Sequence, residues 1–217
     1  MMTMTRFLPS VFLVTLLMLA TSSGRADSGF VPLFDGATLN GWLGAVDGYE
    51  AAEGAIVCIA ERGGNLFTQH EYANFVLRFE FKLPPGGNSG IGLRAPLEGR
   101  TSRVGIECQV LDDGHEKFAN IKPWQRHGSI YGIVPAQPGH LKHAGEWNEQ
   151  EILFDGTHVK VTLNGCVIVD ADLAEYIDKP TLDGRDHPGL KRTSGHIGFL
   201  GHGHRVAYRN IRVRMLD

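Results

Sequence analysis

Cysteine is scarce in this chain: 217 residues hold three, Cys58, Cys108 and Cys166. An odd number cannot all pair within one molecule, and none lies near enough to another in sequence to begin a zinc knuckle. All three therefore read as small buried hydrophobes. Runs of one charge are missing too. The balance is mildly acidic, with 21 Lys and Arg against 24 Asp and Glu, and it is evenly spread, which points away from nucleic acid and from anionic membrane surfaces. No phosphate-cradling Walker loop and no dinucleotide fingerprint occur. The serines of "GNSG" and "RTSG" lack the strand–turn–helix setting of a nucleophile elbow, which excludes a serine hydrolase of that type. Helical periodicity is nearly absent; only Asp170 to Ile177 can hold a turn or two. Glycine is plentiful at 28 residues but follows no period, so collagen-like and short-repeat architectures are excluded.

The one long apolar run is N-terminal. Arg6 precedes Val11 to Ala20, a stretch too short for a comfortable membrane-spanning helix, and the small residues Gly24 and Ala26 follow. That order reads as an export signal over residues 1–26, cleaved after Ala26, with one domain over 27–217. Cleavage leaves 19 basic against 24 acidic residues, a net charge of −5. No cysteine follows the run, which argues against a lipoprotein. The mature chain is expected in the periplasm or outside the cell, with no stable membrane anchor.

What is present in abundance is alternation. Phe75, Leu77, Phe79, Phe81 and Leu83 alternate with Val76, Arg78, Glu80 and Lys82, as a strand with one buried face requires. Val159, Val161 and Leu163 lead into Asn164-Gly165, which fits a two-residue type I′ hairpin. Ile211, Val213 and Met215 should face inward near the C-terminus. Alternating strands with Gly, Pro and Asn turns, and no strand–helix repeat, predict an all-β antiparallel sandwich or jelly roll. Leu182 to Ser194 reads as the longest irregular stretch, a rim loop able to cover a site.

The candidate site residues occupy the polar side of these strands. In "GIECQVLDD", Glu107 and Gln109 share one face while Ile106, Cys108 and Val110 take the other. A Glu amid apolar neighbours is costly unless it is solvated, hydrogen-bonded or bound to a cation, so it lines either a wet sheet face or a cleft. In "GGNSGIGLRA", Asn88, Gly90, Gly92 and Arg94 share the side opposite Ile91 and Leu93, and the glycines leave room for something to lie on the sheet. "RHGSIYG" sets Ser129 and Tyr131 against Ile130, with His127 at a bend. "GHIGFLGHGH" sends Ile197 and Phe199 one way and His196, Gly198, Leu200 and His202 the other, with His204 able to rejoin that row. Trp124 and Tyr131 offer aromatic faces suited to a sugar ring, or to the core.

At these residues the chain resembles the 3-keto-disaccharide hydrolase domain family. The resemblance runs in order through "FVPLFDGATLNGW", "GGNSGIGLR", "GIECQVLDD", "GSIYGIV", "AGEWNEQEI", "VTLNG", "DHPGL" and "SGHIGFLGHG…YRNIRVR", covering essentially the whole mature chain. It implies a concanavalin-like jelly roll of two antiparallel sheets, acting on glycosides whose C3 hydroxyl is already a ketone. Similar proteins are lyases and hydratases working through a 2-hydroxy-glucal intermediate.

Asn88, Arg94, Glu107, Asp112, Tyr131 and His202 are carried over by motif position; His127, Trp124 and His204 rest on this sequence alone. Glu107, His202 and Arg94 are the expected catalytic groups, with Asn88, Gln109, Asp112, Trp124, His127 and Tyr131 binding an oxidised saccharide. A divalent ion of unknown identity is possible, with Glu107, His202 and His204 as its donors. Two other readings stay open. One is a laminarinase-like retaining glycosidase using Glu107, Gln109 and Asp112, although Gln stands where that pattern needs an acid. The other is a non-catalytic carbohydrate-binding module.

Overall fold

The computed structural model describes residues 28–217; the expected signal segment, residues 1–26, and Asp27 lie outside them. Among the described residues run thirteen strands: β1 (Val31–Pro32), β2 (Trp42–Gly44), β3 (Tyr49–Ala52), β4 (Ala55–Cys58), β5 (Gly64–Tyr72), β6 (Phe75–Lys82), β7 (Asn88–Ala95), β8 (Ile106–Leu111), β9 (Trp147–Asp155), β10 (His158–Leu163), β11 (Cys166–Asp172), β12 (Gly195–Gly201) and β13 (Ala207–Met215). They form two antiparallel sheets. The larger has the order β11-β10-β9-β6-β13-β4-β3, with β1 paired to β13; the smaller has the order β2-β5-β12-β7-β8. This is the jelly-roll sandwich that the alternation predicts.

Period-two patterning builds the core. Phe75, Leu77, Phe79 and Phe81 of β6 and Phe154 of β9 meet Ile91 and Leu93 of β7, Ile106, Cys108 and Val110 of β8, and Ile197 and Phe199 of β12. Tyr208 stacks on Phe199 with ring centroids 3.9 Å apart and donates its hydroxyl proton to Ser89 Oγ at 2.7 Å, so its buried polar end is satisfied. The Asn164-Gly165 hairpin is as expected, both residues having positive φ, +49° and +85°. The short helical turn near residue 174 is a 3-10 turn, Leu173–Tyr176.

Four local expectations are overturned. Cys166 is exposed, because it follows the tight turn at a sheet edge, whereas Cys58 and Cys108 are buried. Met215, the last residue of β13, is also exposed. The "RHGSIYG" stretch is no strand: Ile130 makes only isolated bridges to Cys108 and Val134, since Gly128 and Gly132, with φ of +78° and +79°, bend the chain on either side. The longest stretch without a strand is accordingly 112–146, not 182–194. The 182–194 loop carries a 3-10 turn, Pro188–Lys191. Gly189 of that turn backs directly onto the Gly105 carbonyl, so no side chain fits there.

Candidate active site

Alternation in β8 sends Ile106, Cys108 and Val110 into the core and Glu107 and Gln109 to the outer face of the smaller sheet. Antiparallel pairing sets Gly90 opposite Gln109 and Gly92 opposite Glu107. β8 is an edge strand, and its free edge is taken up by the 128–131 segment. Gln109 N–H donates to the Ser129 carbonyl at 2.9 Å, and Tyr131 N–H to the Glu107 carbonyl at 2.9 Å. Tyr131 is thereby held beside Glu107. Across the sheet, β12 delivers Leu200 and, just past its end, His202. The result is a pocket of about 260 Å³ lined by Asn88, Glu107, Gln109, Tyr131, Leu200 and His202, closed by Asn65, Arg100, Thr101 and Ser102.

Five of the expected residues therefore converge: Asn88, Glu107, Gln109, Tyr131 and His202. Arg94 does not. A step of two along β12, from His196 to Gly198, pairs with a step of three along β7, from Gly92 to Ala95, and Arg94 has φ of +47°. That is a β-bulge with its extra residue in the left-handed region, and one added residue moves every later side chain to the other face. Arg94 consequently packs over the Phe154 ring at 3.9 Å. It donates to the carbonyls of Ala73, Gly156 and Arg192 and to Asn74 Oδ1, at 2.8–3.1 Å. It is a structural cation tying three turns together.

His127 also goes elsewhere. It is buried against Phe81, ring centroids 5.0 Å apart, accepts from the Leu111 amide at Nδ1 and meets Gln150 Oε1 at 3.1 Å through Nε2. Burial pushes its pKa down to about 4, against a raising effect from Gln150, so it is a neutral core histidine. Asp112 caps a turn, its Oδ2 accepting from Gly86 N–H at 2.7 Å. Trp124 stands one ring outside the pocket, edge to face with Tyr131 at 5.1 Å and 83°. His204 does not line the pocket, and its Nδ1 is buried without a partner. Among the described residues no three His, Cys, Asp or Glu side chains are grouped to hold a metal. The donor set Glu107, His202 and His204 is therefore not assembled.

The cation missing from the expected place is supplied by Arg100. It stands before the single helical turn α1 (Thr101–Val104), in the 96–105 connection between β7 and β8. Arg100, Thr101, Ser102 and Asn65 all went unread in the sequence. The available signal was topological: a link between antiparallel neighbours can fold back over the face those neighbours share.

Electrostatics separates the two ionisable groups. Glu107 is 8% exposed. Burial lifts its carboxyl to about 7, against the opposing pull of the Arg100 charge and a hydrogen bond with Ser102. His202 still reaches solvent at the pocket mouth, yet the protein packed around it, then His204 and Arg100, holds its imidazole below the usual range. Near neutrality Glu107 is thus poised between its acid and carboxylate forms while the His202 imidazole is mostly neutral, and groups whose environments push them apart in this way are the candidates for acid and base. Among the described residues Glu107 is the only carboxylate lining it. A roomier cleft of about 680 Å³ lies along 176–191, but its histidine, His187, is already bound to Asp183 at 3.0 Å.

The model of the 3-keto-alpha-glucoside-1,2-lyase-like domain matches residues 29–214. The chain belongs to that family. A 3-keto-disaccharide hydrolase from Bacteroides thetaiotaomicron is 30% identical over 87% of this chain and 79% of its own length. The solved structure of a candidate glycosyl hydrolase from Parabacteroides distasonis superposes with a TM-score of 0.77 at 30% identity, covering 86% of this chain and 99% of that one. A Bacillus subtilis protein with a galectin-like fold, 13% identical, superposes with a TM-score of 0.50 over 81% of this chain and 86% of its own, a likeness of fold alone. The family match spans both sheets and every residue of the pocket.

Proposed function

We propose that this protein is an exported carbohydrate-active enzyme that cleaves 3-keto-glycosides by elimination and hydration. The observation that carries the reading is the pocket's one carboxyl, Glu107, set with His202 and Arg100. A retaining glycosidase needs two carboxyl groups about 5–5.5 Å apart, and Asp112, the other candidate acid, caps a turn instead. A substrate ketone removes that need, because a C3 carbonyl acidifies the hydrogen on C2.

His202 takes the C2 proton, and Arg100 faces the negative charge that develops on the C3 oxygen. Glu107 gives its proton to the glycosidic oxygen as the C1–O bond breaks and the C1–C2 double bond forms. Water then adds at C1 and leaves its proton on Glu107, while the His202 imidazolium returns a proton to C2. The sum is hydrolysis, and both residues end as they began. Asn88, Gln109 and Tyr131 orient hydroxyls. A pocket of this volume takes a single sugar ring, which leaves the departing group beside Trp124. No step runs through a metal, since the donors are not grouped for one. Residues 1–26 would direct export.

Product analysis by NMR with a 3-keto disaccharide in deuterated water tests the scheme. Deuterium should appear at C2 of the released sugar, and Glu107→Gln should fold while losing about 10²–10⁴-fold in turnover. Wild-type rates from that variant would overturn Glu107 as the acid, and cleavage of unoxidised glucosides would favour the glycosidase. Sugar binding without any product would favour the binding module.

A further inference from the structure

The order of elements across the smaller sheet lays the proposed reaction out in space. His202 follows β12, β7 is the neighbour of β12, and β8, carrying Glu107, is the neighbour of β7. Beyond the free edge of β8 runs the 128–131 segment, which brings Tyr131 to the pocket. Glu107 therefore stands between His202 and Tyr131. In a glycoside the atoms run from C2 to C1 to the glycosidic oxygen. With C2 at His202 and that oxygen at Glu107, the departing group points on toward Tyr131.

The Tyr131 hydroxyl is aimed by a second residue. Gln125 ends the 3-10 turn Pro123–Gln125, and its Oε1 accepts from the Lys122 amide at 3.0 Å. That bond settles which end of the side-chain amide is the nitrogen, and Nε2 donates to the Tyr131 hydroxyl oxygen at 3.4 Å. Among the described residues nothing accepts the hydroxyl's own proton, so it is open to a ligand. The turn is also tied down. Ser129, fully buried, donates from Oγ to the Pro123 carbonyl at 3.2 Å and accepts there from the Ala136 amide at 3.0 Å. Trp124, in the middle of the turn, stands at 83° to the Tyr131 ring. Both rings are half-buried, and together they make an aromatic corner outside the pocket.

We infer that Trp124 and Tyr131 form the leaving-group subsite and that it takes a second sugar ring. The C–H face of that ring lies on Trp124, and Tyr131 donates to one of its oxygens away from the glycosidic bond. Gln125 acts through Tyr131 and is a positioning residue. The inference rests on the reaction proposed above, which sets the direction of the departing group. A pyranose matches the corner because it carries both an apolar face for an indole and oxygen acceptors for a phenol; a short alkyl group carries neither.

The experiment compares kcat/KM on methyl glucoside and on glucosyl-glucose, each oxidised at C3 of the non-reducing ring and each as both anomers. Taking the ratio between enzymes cancels the different acidity of the two leaving groups. Trp124→Ala, Tyr131→Phe and Gln125→Glu should each lower the preference for the disaccharide about tenfold. Gln125→Glu keeps the oxygen held by Lys122 and replaces the donor with an acceptor that takes the Tyr131 proton for itself, so a change there reads orientation rather than packing. Equal losses on both substrates in Trp124→Ala or Tyr131→Phe, or a wild-type preference in Gln125→Glu, overturn the inference. Should Trp124→Ala fail to fold, the other two variants decide alone. Calorimetry with the unoxidised sugars needs no turnover: wild type should bind glucosyl-glucose more tightly than methyl glucoside, and Trp124→Ala should remove the difference. That binding preference without turnover of either ketone sinks the reaction and keeps the subsite. Turnover of both ketones with a preference that no variant alters sinks the subsite alone.

Discussion

A carboxyl in water gives up its proton near 4.5, and Glu107 holds on to about 7 chiefly because it is buried. His202 is displaced the other way. If Glu107 is the acid and His202 the base, kcat/KM on a 3-keto glycoside should be bell-shaped in pH. It should rise on the acid side as His202 loses its proton and fall above about pH 7 as Glu107 loses its own. A stopped assay from pH 4 to 9 checks this. A profile that keeps rising through pH 8 would overturn Glu107 as the acid. Glu107 was legible in the sequence because a carboxylate among core-facing neighbours is costly. Its ionisation was not, since Arg100 and Ser102 reach it from a different segment.

At the scale of the element, β7 is where pattern reading succeeds and then fails within one strand. Asn88, Gly90 and Gly92 lie on the predicted side, and the bulge at Arg94 moves the next side chain across. Strict alternation carries no mark of an inserted residue when the bulged position is an arginine rather than a glycine. Arg94→Met should consequently act on stability and spare catalysis. It strips four acceptors of a charged donor and should cost about 3 kcal/mol, read as a lower midpoint in urea. At a temperature where the variant stays folded, kcat/KM should remain within about threefold of wild type, because a side chain outside the pocket makes no transition-state contact. A loss of a hundredfold would return Arg94 to the reaction. The 112–146 segment gave a weaker signal for a related reason. Its glycine bends replace a strand by single bridges, which carry Tyr131 to the pocket and His127 into the core.

Over the whole molecule, stability and function meet in two buried ionisable groups of opposite sign. Glu107 binds its proton more tightly folded than unfolded, so its contribution to stability falls as pH rises from about 4.5 to about 7. His127 refuses its proton until about 4 when folded and accepts one near 6.5 when unfolded, so its contribution falls as pH drops through that interval. The two slopes oppose each other in wild type. Glu107→Gln removes the first, so its stability relative to wild type should climb by about 2–3 kcal/mol between pH 4.5 and 7. Urea denaturation at several pH values measures the difference, and a flat one would mean that Glu107 is not held protonated by the fold.

What the sequence determined by itself is what repeats along a strand. Period-two burial set the two-sheet sandwich, the inward faces of β6, β8 and β12, the Asn164-Gly165 turn, and the outward row that holds Asn88, Glu107, Gln109 and His202. Each of these depends only on neighbours two residues apart or on a turn's own backbone. The tertiary structure decided which cation faces Glu107, which histidine is core and which is reactive, and how far each proton is shifted. Those outcomes depend on a bulge set by β12 and on a connection folded back over the sheet. Burial and charge act through space between segments that the chain order keeps apart.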